Sequence, residues 1–232
     1  VMGILMSATI VVIVVMLQRE RLRTELTGEV DQLGQQECSK IAKDVYLMLR
    51  TSHEKLKKEL GANLNVARNE LAQAGAVSLS EEKVSWQAVN QVSKEASTVE
   101  LPRMMLASQW LGQNTDPAAP ALVVDKVKQL VGGTCTVFQR MNEKGDLLRI
   151  STNVKTAEGK RAIGTYIPAV QPDGKPNPVV ASVLRGETYT GRAFVVSDWY
   201  ITAYEPLRDA QGQIIGALYF GVKQEDVPEL RQ

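Results

Sequence analysis

The stretch Thr134-Cys135-Thr136-Val137-Phe138-Gln139-Arg140-Met141, Asn142-Glu143-Lys144-Gly145-Asp146, Leu147-Leu148-Arg149-Ile150-Ser151-Thr152-Asn153-Val154 decides the fold. Two β-prone runs flank a polar turn that places glycine where a positive φ is needed, which is the pattern of a hairpin. Alternation puts Leu148, Ile150, Thr152 and Val154 on one face and Arg149, Ser151 and Asn153 on the other, a face that reads most simply as solvated.

Toward the C-terminus the pattern repeats. Arg161 to Ile167 is a further strand, Gln171 to Pro178 a Pro/Gly/Asn-rich loop, and Val179 to Leu184 a short helix stopped by Gly186. Thr188 to Val196, Trp199 to Leu207 and Ile214 to Val222 complete a meander. Toward the N-terminus, Ala121 to Val131 reads as a short helix and Gln113 to Pro120 as a loop. Val84 to Val89 alternates, and Val99 to Trp110 is a strand that Pro102 makes irregular or places at an edge. The expected class is α+β, an antiparallel sheet with helices on its faces.

From residue 18 to about 75 the period changes. Leu22, Leu26, Val30, Leu33, Ile41, Val45, Met48, Leu56, Leu60, Leu64, Ala67 and Leu71 step by threes and fours, one face of a long amphipathic helix. At 1.5 Å per residue it would extend on the order of 80 Å. Gly28, Gly34 and Gly61 are candidate breaks. The apolar face can pack on its own domain or on the same helix of a second subunit.

Ahead of it, residues 1–17 carry no charge, and only Ser7 and Thr9 interrupt the apolar run. This meets the lower limit of about 17 residues for a spanning helix, so a membrane anchor is expected, truncated at its front. A cleaved signal peptide is the alternative, but Gln18-Arg19-Glu20-Arg21 follows directly where a small-residue cleavage site would stand.

Composition narrows the function. Lys and Arg number 27 against 26 Asp and Glu, which leaves no basic footprint for nucleic acid. Cys38 and Cys135 are too far apart and too few for a disulfide framework or a zinc site, although a single long-range bridge stays open. The only histidine, His53, lies among Glu54, Lys55, Lys57 and Lys58, where it is solvated rather than catalytic. Gly132-Gly133-Thr134 lacks the lysine that a phosphate loop requires, and no nucleophile elbow or metal-binding helix motif is present. No enzyme, cofactor or metal is therefore expected.

The last strands concentrate chemistry of another kind. Tyr189, Arg192, Phe194, Trp199, Tyr200, Thr202 and Tyr204 fall close together in a chain that is only 5% aromatic. Aromatic walls that exclude water, with an arginine and hydroxyls between them, suit a small pocket for a carboxylate.

The stretches Ser85 to Gln91, Trp110 to Gln113, Gly133 to Asn142, Leu148 to Val154, Arg161 to Pro168, Gly191 to Phe194 and Trp199 to Pro206 together resemble the Cache 3/Cache 2 fusion type of extracytoplasmic sensor domain. Such domains occur in bacterial methyl-accepting chemotaxis proteins and sensor kinases. The resemblance implies a PAS-like sheet over residues 76–232, packed against a long N-terminal helix of residues 18–75. It also implies a position on the periplasmic side of the bacterial inner membrane, with residues 1–17 as one of two spans; the apolar face of the long helix leads to the expectation of a homodimer through it. The ligand would be a small metabolite such as a short organic acid, in a pocket lined from Phe138, Arg149, Tyr166, Arg192, Trp199, Thr202 and Tyr204. A membrane-tethered protein-interaction module is the alternative reading.

Overall fold

The computed structural model describes the backbone of residues 2–227 and the side chains of residues 13–227. The apolar run behind the expected membrane anchor has most of its side chains outside the described residues. Among the described residues no helix is long and apolar enough to cross a membrane. Chain contacts divide the protein into Val1–Glu54 and Lys55–Gln232.

The described residues of the first unit, 2–54, are helical, the leading part of α1 (Met2–Ala74). The helix runs unbroken through Gly28, Gly34 and Gly61, because a helical glycine costs only about 1 kcal/mol and none of the three has a positive φ. Here Leu22, Leu26, Val30, Leu33, Ile41, Val45 and Met48 are 45–63% exposed.

The second unit holds the end of α1 and one sheet. Its strands are β1 (Val77–Asn90), β2 (Ala96–Leu106), β3 (Gln109–Trp110), β4 (Thr134–Arg140), β5 (Leu147–Thr152), β6 (Thr165–Ile167), β7 (Tyr189–Val195), β8 (Asp198–Arg208) and β9 (Ile214–Lys223), in the order β3-β2-β1-β6-β5-β4-β9-β8-β7. Two short helices join it: α2 (Val124–Val131), between β3 and β4, and α3 (Pro178–Leu184), between β6 and β7. The class is α+β, but the sheet is mixed, since β1 and β6 pair in parallel at Val89–Thr165 and Asn90–Tyr166. Gly164 makes that seam possible: its φ is 80°, and a Cβ there would lie 2.7 Å from the Gln87 carbonyl oxygen. The expected strand from Arg161 shrinks to three residues for the same reason, with Arg161 recruited elsewhere.

One face of the sheet buries Leu60, Leu64, Ala67 and Leu71 of α1 and Val124 and Val127 of α2, against Val137, Leu148, Ile150, Leu218 and Phe220. Arg68 of α1 donates from Nε to Glu205 of β8 at 2.7 Å and from Nη2 to its other oxygen, and Glu70 pairs with Lys126 of α2 at 2.6 Å. The opposite face buries Phe138, Tyr204 and Tyr219 beneath Val179, Val180 and Val183 of α3. Asn177 starts α3, its Oδ1 accepting from the Val179 N–H at 3.0 Å, with Pro178 in the first turn. Both faces are thus covered, and the second face of β5, which reads as solvated in sequence, is buried along its length.

Candidate ligand-binding site

Strand β5 departs from simple alternation. Its register against β4 passes from Val137–Ser151 to Phe138–Arg149, leaving Ile150 as the extra residue of a β-bulge. Beyond the bulge the phase reverses: Thr152 joins the Arg149 face, its hydroxyl 2.6 Å from that of Thr136, and Val154 packs in the second core. Asn153 turns instead to the first, accepting from the Cys135 N–H and donating to the Val124 carbonyl.

Arg149 is fully buried. Its Cζ lies 4.9 Å from the centroid of the Phe138 ring, and Nη1 donates to the Thr165 hydroxyl. That hydroxyl donates in turn to the Ala162 carbonyl at 2.8 Å, fixing the guanidinium from behind. Nε and Nη2 have no hydrogen-bond partner among the described residues, and neither has the Tyr204 hydroxyl. The rings of Phe138, Tyr204 and Tyr219 enclose the spot, with centroids 4.9 Å apart for Tyr204–Tyr219 and 6.0 Å for Phe138–Tyr204. Burial pulls the Arg149 guanidinium below its ordinary value, against the opposing influence of Tyr204, Tyr219 and Tyr200. Burial likewise pushes the Tyr204 and Tyr219 phenols above theirs, so both keep their protons.

Arg161 supplies the contrast. It is also buried, but its Nη1 and Nη2 clasp Asp125 at 2.9 and 2.7 Å, and the guanidinium further donates to the carbonyls of Asp116, Thr152 and Ala119. Burial alone would raise the Asp125 carboxyl; the Arg161 hydrogen bond, the Ala121 N–H and the charges of Arg161 and Lys128 outweigh it and leave the group below its ordinary value. A buried cation with a carboxylate and carbonyls around it is a structural tie. A buried cation with a free bidentate edge is prepared for something else. The free edge of Arg149, Nε with Nη2, is the same edge that Arg68 presents to both oxygens of Glu205.

Of the residues expected from the sequence, Phe138, Arg149, Thr202 and Tyr204 come to this face. The Thr202 hydroxyl is engaged with the Gly191 carbonyl at 2.8 Å. Arg192 and Trp199 share the other face of the β7–β8 hairpin, where the guanidinium stacks 4.1 Å from the exposed indole. Tyr166, opposite Leu148, packs against the first core. Tyr219 and Thr165 were missed. Tyr219 sits in a β9 run of uniformly apolar character, and only its register opposite Tyr204 reveals its side. Cys38 is exposed and Cys135 buried, both free, and burial pushes the Cys135 thiol up to about 12, far from a nucleophile.

The Arg149 face is closed, since Phe138, Arg149, Tyr204 and Tyr219 are each at most 1% exposed. Two cavities of about 100 Å³ lie elsewhere, one beside Trp110, Leu122 and Ile163, the other between Leu60 and Val227. Residues 23–232 match the protein family described as the Cache 3/Cache 2 fusion domain. Comparison with curated proteins gives no match.

Proposed function

The chain belongs to the Cache 3/Cache 2 fusion domain family, and from that premise we propose that its Arg149 face is the ligand site of an extracytoplasmic sensor for a small carboxylate. Cache domains are sensor domains rather than enzymes, and the proposed mechanism needs no chemistry. The observation that carries the carboxylate is the free Nε/Nη2 edge of a fully buried arginine, which matches a two-oxygen anion in spacing and charge. The Tyr204 hydroxyl supplies a further unmatched donor, and the rings of Phe138 and Tyr219 exclude water. Among the described residues no Asp or Glu is buried, so a buried ammonium group would lack a buried carboxylate to pair with, whereas an anion has Arg149.

Tyr204 and Glu205 are neighbours on β8, one facing the site and the other gripping Arg68 of α1. A ligand that favours one position of Tyr204 biases that grip, and with it the helix that leads back to residues 1–17. We place the sensor in a transmembrane chemoreceptor, with α1 pairing along its exposed apolar stripe with a second copy; a histidine kinase would use the same sensor. A thermal-shift screen of the full chain tests the ligand class. Stabilisation by two- to four-carbon monocarboxylates supports the reading, and stabilisation by amines or amino acids alone sinks it.

A further inference from the structure

A closed site needs a door, and the sheet supplies one. Strand β7 is an edge strand, and β6, β5, β4 and β9 lie between the β7–β8 hairpin and β1 in the sheet order. Yet the tip of that hairpin is bound to the turn after β1. The Gln91 side-chain amide donates to the Phe194 carbonyl at 3.1 Å, and the Lys94 ammonium donates to the Val196 carbonyl at 3.1 Å and to the Gln91 carbonyl at 2.7 Å. The Gln91 N–H is itself held by the Tyr166 carbonyl of β6 at 3.1 Å. The hairpin tip therefore curls over the Arg149 face rather than continuing the plane of the sheet. Val195 and Val196 at the tip are 1% and 8% exposed and belong to the cluster that contains Phe138, Tyr204 and Tyr219. Val196 holds a φ of 59°, a left-handed conformation that a β-branched residue adopts only when its surroundings enforce it.

We propose that the tip of the β7–β8 hairpin is a lid over the Arg149 face and that Gln91 and Lys94 form its latch. β7 is an edge strand and β8 pairs with β9 only from Tyr200 onward, so residues 195–199 swing out without breaking the inner ladders. The Gln91 and Lys94 hydrogen bonds and an enforced backbone hold it down, and beyond them, among the described residues, only the solvent-exposed Asp198–Lys223 ion pair at 3.4 Å, a weak tie, opposes release of the tip with Val195 and Val196. The proposal rests on the reading of Arg149 as the ligand group, but its test does not need the natural ligand.

Phenylglyoxal, which labels accessible guanidinium groups, is applied to the full chain and to the double variant Gln91→Leu, Lys94→Met, and modification is followed residue by residue by mass spectrometry. Arg185, exposed, and Arg161, buried behind its ion pair, serve as internal references. Loss of one neutral and one charged hydrogen bond predicts labelling of Arg149 about tenfold faster in the variant, with Arg185 and Arg161 unchanged. An unchanged Arg149 rate overturns the latch, and so does acceleration of Arg149 and Arg161 together, which means that the domain as a whole has loosened. Protection of wild-type Arg149 by sodium propionate is a separate arm. Its absence counts against the carboxylate reading and leaves the comparison of the two proteins to decide the lid.

Discussion

Arg149 and Arg161 are both buried and predict opposite responses to the same substitution. Arg161→Met strips Asp125 and the carbonyls of Asp116, Thr152 and Ala119 of their partner and is expected to cost about 3–5 kcal/mol, lowering the melting temperature by roughly 6–20 °C. Arg149→Met removes a desolvated charge whose better edge is unpaired, so the melting temperature is expected to stay level or rise; a clear fall would mean that the guanidinium is structural. The Asp125–Arg161 pair also sets an acid limit. Its carboxyl is lowered in the folded state, so its contribution is complete above the ordinary carboxylate range and is lost as pH falls through that range toward the folded value. Denaturant midpoints between pH 6 and 3 should fall more in the wild type than in Asp125→Asn. At this scale the sequence pointed to Arg149 and Tyr204 by residue type, but nearness along a strand misled. Arg192 and Trp199 stand close to Tyr200 and Tyr204 in sequence, and their register places them on the opposite face.

At the scale of elements, hairpins and short helices were legible because turn glycines, the Gly186 stop and period-two runs act locally, although the Asn177 cap and Pro178, read as loop, belong to the start of α3. The bulge at Ile150 was not, for it is defined by a pairing between strands, and it alone decides that Thr152 and Arg149 face the same way. The parallel β1–β6 seam was hidden likewise, since it joins segments separated by β2, β3, α2, β4 and β5. That seam makes its own prediction. Gly164→Ala forces an unfavourable positive φ and presses a methyl group against the Gln87 carbonyl, so it is expected to destabilise by about 1–3 kcal/mol, read from the urea midpoint. Alanine at Gly159, which has a similar φ of 80° but no atom within 4 Å of the added methyl, should cost less.

For the whole molecule, the division at Glu54 and Lys55 separates a helix with an exposed apolar stripe from a domain that buries its own. If the stripe pairs with a second copy, Leu26→Glu with Leu33→Glu should shift the sedimenting species from dimer to monomer without changing the melting of the sensor domain. The central claim stands on Arg149, and isothermal titration of sodium acetate, propionate, pyruvate and lactate into the full chain tests it most directly. At least one of these should bind the wild type, and its affinity should fall about a hundredfold or more in Arg149→Met while the protein stays folded. A monocarboxylate that binds both proteins equally well would contradict the assignment of Arg149 as the ligand-binding group.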